Sequence, residues 1–321
     1  MASVMEKDVL IEMLAHVVAG IALTTGDKAE LTKLANYREE LYRTSPEELD
    51  FALWVERLKG YSTHENALSV LQATHPLTEA ERAAIEAQIA PYNEESDVET
   101  KFPLIWNFIT AGHEAKACDE RVAFVLGGQP GAGKAFATQT IKTEYPDAIV
   151  VNADEFRPFH AHYADFYRLY GEDASRYSSS FIAKLVARVR NRAMELGLPL
   201  VIEGTFRTAS TPMTELTTLR EQGYRVEILL CTRPVEESWA HTRERGDKLL
   251  SVGLPPRYVP REHFDSVIGA LATNAQTVYA SALASRFRIF GPDGLLWDSA
   301  APSENTPNAV IQRTLYPSGE A

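Results

Sequence analysis

The stretch VAFVLGGQPGAGKAFATQT, from Val122 to Thr140, constrains this chain more than any other. An apolar run without helical period, Val122 to Leu126, meets a glycine-rich turn and then a helix-compatible segment. The turn spells Gly128-x-x-x-x-Gly133-Lys134, which between a strand and a helix predicts a phosphate-binding loop. Gly128, Gly131 and Gly133 permit positive φ and close approach of the backbone, so that successive N–H groups point at phosphate oxygens. Gln129, Pro130 and Ala132 complete the cradle. The helix that starts near Lys134 adds its N-terminal dipole, and the ammonium of Lys134 reaches the terminal phosphates. Nucleotide binding is the expectation. One position departs from the motif: Ala135 stands where Ser or Thr normally offers a hydroxyl to Mg²⁺.

The length of 321 residues, 45% of them hydrophobic, suits two units better than one. A formal charge of −12 argues against a general binder of nucleic acid or anionic membrane. Cys118 and Cys231 are the only cysteines and lack metal-ligand spacing, so both are expected as packing residues in a reducing cytoplasm. No apolar run has the length of a membrane span; the nearest, Met13 to Leu23, is broken by His16. The start MASVMEKDVL has no signal-peptide pattern, so a soluble protein is expected.

Residues 5 to about 74 read as helices. Val9, Leu10, Met13, Leu14, Val17, Val18 and Ile21 recur at threes and fours and predict one helix with a broad apolar face. A second is predicted from Lys28 to Tyr42 behind the cap Gly26-Asp27, and a third begins at Thr44-Ser45-Pro46-Glu47-Glu48 with Ser45 as N-cap. This block ends near Thr74-His75-Pro76. Glu79 to Ile89 is a further helix, and Pro91 to Asp97 reads as a linker or exposed loop.

Beyond the glycine-rich turn, strands and helices alternate. Ala148–Val151, Leu198–Ile202 and Arg225–Leu230 are the predicted strands; Tyr177–Leu196, Met213–Gln222 and Val235–Arg245 are the helices. Short apolar strands separated by helices imply an α/β fold, a parallel sheet with helices on both faces, here preceded by a small all-α domain. Ligands of such sheets sit at the carboxyl ends of the strands.

Two further strand ends carry unusual chemistry. After Val151 comes Asn152-Ala153-Asp154-Glu155-Phe156-Arg157-Pro158-Phe159-His160. Asp154 is placed to accept a hydrogen bond from a substrate hydroxyl, and with an ordinary pKa of about 3.9 it orients that hydroxyl more than it removes the proton. Structural readings stay open: a helix cap for Asp154, a surface ion pair for Arg157, a satisfied polar residue for His160. The other strand end reads Val201-Ile202-Glu203-Gly204-Thr205-Phe206-Arg207, where Glu203 is suited to hold Mg²⁺ waters or substrate hydroxyls.

GGQPGAGK, NADEFRPFH and EGTFRT, in this order and spacing, resemble the zeta toxins of epsilon/zeta toxin–antitoxin systems, over roughly residues 100 to 300. The resemblance implies a P-loop kinase fold and transfer of the γ-phosphate of ATP, with Mg²⁺, to the 3′-hydroxyl of UDP-N-acetylglucosamine, a precursor of the bacterial cell wall. It implies that Lys134 holds ATP phosphates, that Asp154 is the catalytic base, and that Arg157, His160, Glu203, Thr205 and Arg207 line the sugar-nucleotide side. The family also uses two late arginines at the transferring phosphoryl group. Arg257 matches the second, and the first is Arg243 or Arg245. Two departures are Ala161 in place of the usual Pro and Ala135, which points to an inactivated variant or a natural pseudokinase. Epsilon antitoxins are small helical bundles, so residues 1–80 resemble a fused inhibitory domain ahead of a kinase domain over 81–321. Tyr37, Tyr42 and Phe51 are candidates to enter the nucleotide pocket, with packing in the bundle as the plainer role. A kinase for another small-molecule hydroxyl, or a nucleotide-binding interaction module, is the alternative.

Overall fold

A computed structural model describes residues 3–61, 76–111, 120–301 and 304–317. Cys118 and the Thr74-His75 boundary lie outside them. The chain forms two compact units, each assembled from three stretches of sequence. One comprises Met1–His113, Asn152–Val189 and Arg245–Tyr258; the other comprises Glu114–Val151, Arg190–Glu244 and Val259–Ala321.

The first unit is built on α1 (Val4–Thr24). Ser3 and Glu6 close a capping box at its start, and twelve of its residues are buried, among them Val9, Leu10, Met13, Leu14, Val17 and Val18. A helix buried on most of its circumference needs cover on several sides. Here the cover is α2 (Lys28–Arg43), α3 (Phe51–Lys59) and the 3₁₀ segment Ala153–Phe159. Asp27 caps α2 as expected, its side chain accepting from Ala29 and Glu30 N–H. Ser45 starts only a single 3₁₀ turn, Pro46–Glu48, and α3 begins five residues later under the cap Asp50. Two charged side chains are drawn inside with α1. Lys7 donates to the carbonyls of Tyr42 (3.3 Å) and Thr44 (2.7 Å), satisfying acceptors at the end of α2, and burial pulls its ammonium down to about 8. Glu12 is the other.

Helix α4 (Glu79–Ile89) stands where expected. The stretch from Pro91 to Asp97 is a loop only as far as the N-cap Asn93; Glu94, Glu95 and Asp97 fill the first turn of α5 (Glu94–Thr110), where the polarity is that of a helix start.

The second unit holds a six-stranded sheet in the order β2-β3-β1-β4-β5-β6. The strands are β1 (Val122–Gly128), β2 (Ile149–Val151), β3 (Leu200–Glu203), β4 (Arg225–Cys231), β5 (Arg286–Gly291) and β6 (Gly294–Asp298). The first five run parallel and β6 returns antiparallel against β5. Every residue of β1 is buried, as befits an inner strand covered on both faces. Helix α6 (Lys134–Glu144) follows β1; later come α7 (Ser210–Glu221), α8 (Val235–Ser251), which continues past the unit boundary, and α9 (Arg261–Ala280). No helix among the described residues is long and apolar enough to cross a membrane.

Candidate active site

In the sheet unit the glycine-rich turn has the backbone its sequence demands. Gly128, Gly131 and Gly133 take φ of 138°, 79° and 87°. A Cβ at Gly131 would lie 2.2 Å from the carbonyl oxygen of Ser238, and one at Gly128 2.3 Å from that of Cys231, so both positions require glycine for contact as well as conformation. The turn is fastened by Ser238, whose hydroxyl donates to the Pro130 carbonyl at 2.6 Å, and by Gln129, whose Nε2 donates to the Arg233 carbonyl at 2.6 Å. Gly133 is the N-cap of α6 and Lys134 its first residue. Ala135 is buried in that first turn and offers no oxygen. A Mg²⁺ ligand is therefore missing at the position that normally supplies it. Among the described residues no three His, Cys, Asp or Glu groups cluster as a metal site.

Glu203 ends β3 in register with Leu126, and the N–H of Gly204 donates to the Leu126 carbonyl at 2.8 Å. Next to it Phe206 adopts φ of 57°, and Asn274 Nδ2 donates to the carbonyls of Phe206 and Arg207. The Phe206 ring lies 2.5 Å from where a Cβ on Gly127 would stand, which accounts for the first of the paired glycines. Thr205 is half-buried, and Arg207 is exposed with its Nη1 3.5 Å from His263 Nδ1. Cys231 is buried, and burial pushes its thiol up to about 12, so it packs and does not react.

The helical unit gathers the other expected residues. Asp154 accepts from Arg157 Nε at 3.0 Å and faces Arg257 Nη1 at 3.0 Å. Burial alone would raise its pKa; Arg257, Arg157 and Arg245 outweigh that and hold the carboxyl well below the usual carboxylate range. Arg157 is braced in turn by Ser178 Oγ (2.8 Å) and the Ser175 carbonyl (3.0 Å). Its guanidinium thus orients Asp154. Arg257 reaches further: Nε donates to Glu12 of α1 at 3.1 Å and Nη2 donates to the second oxygen of the same carboxylate. Arg245 Nε lies 3.9 Å from Glu12 and, although buried, has no hydrogen-bond partner. Of the two arginines left open by the sequence, Arg245 joins Arg257 and Glu12, whereas Arg243 belongs to the sheet unit.

Four residues to which the motifs gave no role, Glu155, Arg38, Tyr42 and Asn152, complete the cluster. Glu155 is 1% exposed and accepts from Arg38 Nε (2.7 Å), Arg38 Nη2 (3.0 Å) and the Tyr42 hydroxyl. Asn152 Nδ2 donates to that same hydroxyl at 3.3 Å, while its Oδ1 accepts from the N–H of Asp154. Helix α2 therefore fixes the segment that carries Asp154. Of the three aromatic candidates, Tyr42 makes this contact, Tyr37 packs edge-on against Trp54, and Phe51 lies under Lys248.

His160 is 3% exposed and surrounded by Tyr92, Phe166 and Phe181. Burial lowers it to about 4, with His162 and Lys101 acting the same way against Asp97 and Glu94. Between that value and its ordinary 6.5 the unfolded chain binds more protons, so stability falls as pH drops through this window, by at most about 1.4 kcal/mol per unit. His160→Gln is expected to flatten the fall of the urea midpoint between pH 6.5 and 4.5. An equal fall in both proteins would assign the acid sensitivity to another group.

A glycine-rich turn joining an inner strand of a largely parallel sheet to a helix headed by lysine defines a P-loop α/β protein. Comparison with known proteins narrows this. Residues 110–301 match the family model described as Zeta toxin. Toxin PezT of Streptococcus pneumoniae is 30% identical over 226 residues, 69% of this chain and 88% of the relative. Toxin zeta of Streptococcus pyogenes is 29% identical over 203 residues, 62% and 71% of the two chains. A solved structure from the PezAT chromosomal toxin–antitoxin system of Streptococcus pneumoniae superposes with a TM-score of 0.61 at 27% identity, covering 70% of this chain and 88% of that one. The chain belongs to the zeta toxin family.

Proposed function

We propose that this protein is a bacterial cytoplasmic toxin kinase that transfers the γ-phosphate of ATP to the 3′-hydroxyl of UDP-N-acetylglucosamine, restrained in cis by its N-terminal helices, residues 1–80. The observation that carries the reading is Arg257, bonded at once to Asp154 and to Glu12 of α1. Asp154 on this reading accepts a hydrogen bond from the acceptor hydroxyl and, held ionised by its arginines, orients it; the proton leaves late in the transfer. Arg257 and Arg245 offset charge that develops on the phosphoryl group, and Lys134 with the backbone of Gly128–Gly133 holds the phosphates. Arg157 positions Asp154, and Glu203, Thr205 and Arg207 are left to meet the acceptor. Mg²⁺ when bound would neutralise phosphate charge, and Ala135 has no side-chain oxygen with which to hold it.

Ala135 also favours a second reading, a nucleotide-binding pseudokinase. Because α2 supplies the partners of Glu155, the discriminating experiment uses the full chain. Transfer of radiolabelled γ-phosphate to UDP-N-acetylglucosamine is expected to be slow from Ala135→Thr, faster from Ala135→Thr/Glu12→Gln, and absent from Ala135→Thr/Glu12→Gln/Asp154→Asn. A folded, ATP-binding Ala135→Thr/Glu12→Gln protein that transfers nothing to this acceptor would move the assignment to another hydroxyl or to the pseudokinase.

A further inference from the structure

We infer that Asn274 is a positioning residue for the phosphate acceptor: it holds Phe206 in a strained conformation and thereby sets where Thr205 and Arg207 stand beside the phosphate-binding turn. The inference rests on the kinase reading above, which leaves those two residues to meet the acceptor. Phe206 takes φ of 57°, a left-handed conformation that is costly for any residue with a Cβ. Phenylalanine has no short polar side chain with which to offset that cost locally, so the conformation persists only because its surroundings impose it. They do so from two sides. The Phe206 ring is 3% exposed and packs on the backbone of Gly127 in β1. Opposite it, both Nδ2 protons of Asn274 are given to this one loop, to the carbonyls of Phe206 at 3.0 Å and of Arg207 at 2.8 Å.

Asparagine is a poor choice for the helix itself. Asn274 stands inside the 20-residue α9, where its side chain competes with the helix backbone for hydrogen bonds; here the carboxamide is turned outward to the loop instead. Arg207 meets the same helix a second time, its Nη1 lying 3.5 Å from His263 Nδ1. Positions 263 and 274 are about three helical turns apart, so one face of α9 carries both contacts. The phosphate-binding turn has separate fasteners, Ser238 and Gln129. Loosening the loop therefore leaves the donor side in place.

The test takes the full chain carrying Ala135→Thr and Glu12→Gln as parent and adds Asn274→Ala or Asn274→Asp; aspartate keeps the shape of asparagine but, ionised, donates nothing. In both, KM for UDP-N-acetylglucosamine is expected to rise about tenfold, with kcat within about threefold and KM for ATP within about twofold of the parent. A residue that only stabilised the fold would leave KM of the folded enzyme where it was. If Asn274→Ala fails to fold, the isosteric Asn274→Asp carries the comparison. Urea unfolding of a double-mutant cycle with Phe206→Gly supplies a readout without turnover, because glycine takes this φ freely. Asn274→Asp should lower the midpoint less than half as much in the Phe206→Gly chain as in the parent. An unchanged acceptor KM in a parent that transfers phosphate overturns the inference alone, as do equal falls of the midpoint with and without Phe206→Gly. No transfer by the parent overturns the kinase reading and the inference with it.

Discussion

Arg38→Ala should lower the unfolding free energy of the full chain by roughly 3–5 kcal/mol, because it strands a buried carboxylate. Arg38 and Glu155 are each 1% exposed, and they meet through two hydrogen bonds across 117 residues of sequence. The guanidinium also lies over the rings of Tyr42 and Phe108, at 4.8 and 5.5 Å from their centroids, so truncation removes packing together with charge. Removing both partners should behave differently. In Arg38→Met/Glu155→Leu the charge of Glu155 is removed as well, and Glu39, which also pairs with Arg38, keeps Arg43 at 3.5 Å, so most of the loss should return. Urea unfolding of the three proteins decides it: a loss below about 1 kcal/mol for Arg38→Ala would mean that Glu155 finds water or protonates at little cost.

Gly131→Ala is expected to be comparably damaging for a steric reason. The added Cβ would stand 2.2 Å from the Ser238 carbonyl oxygen, a backbone atom of α8 that cannot rotate away, at a φ of 79°. Gly223 provides the control. Its φ is 80°, yet a Cβ there meets nothing within 4 Å. Gly223→Ala should therefore cost only the backbone strain, about 1–2 kcal/mol, whereas Gly131→Ala adds a further 1–3 kcal/mol of overpacking and distorts the phosphate cradle. Equal urea midpoints for the two variants would refute the close-approach account. Pyrophosphate affinity should fall more than about tenfold in Gly131→Ala alone.

What could be read from the sequence was what has local chemistry. The strand, glycine turn and helix of 122–140 are one continuous signal, and the apolar spacing of α1 fixes its buried face. Asp154 and Arg157 stood out because they follow a buried strand. The β5–β6 hairpin did not stand out, since Arg286 and Arg288 interrupt its apolar residues; Arg288 is buried by pairing with Glu227 on β4, a fact of tertiary contact. The role of Glu155 was hidden for the same reason, as its partners lie more than a hundred residues upstream. Glu12 did leave a trace: an acid in the midst of Leu10, Ile11, Met13 and Leu14 is a polar group carried into a core, and such a group needs a cation.

The three-stretch construction of the helical unit sets an order in time. Glu12 precedes Arg257 by 245 residues, and at the usual 5–20 residues per second it is made about 12–50 s before that arginine. On the proposed reading the restraint is thus already waiting when the last group it restrains appears. A separate inhibitor must be supplied in matching amount and must find its target by diffusion; here each nascent chain carries its own, one to one, and no newly finished copy passes through an interval in which its arginines lack a countercharge.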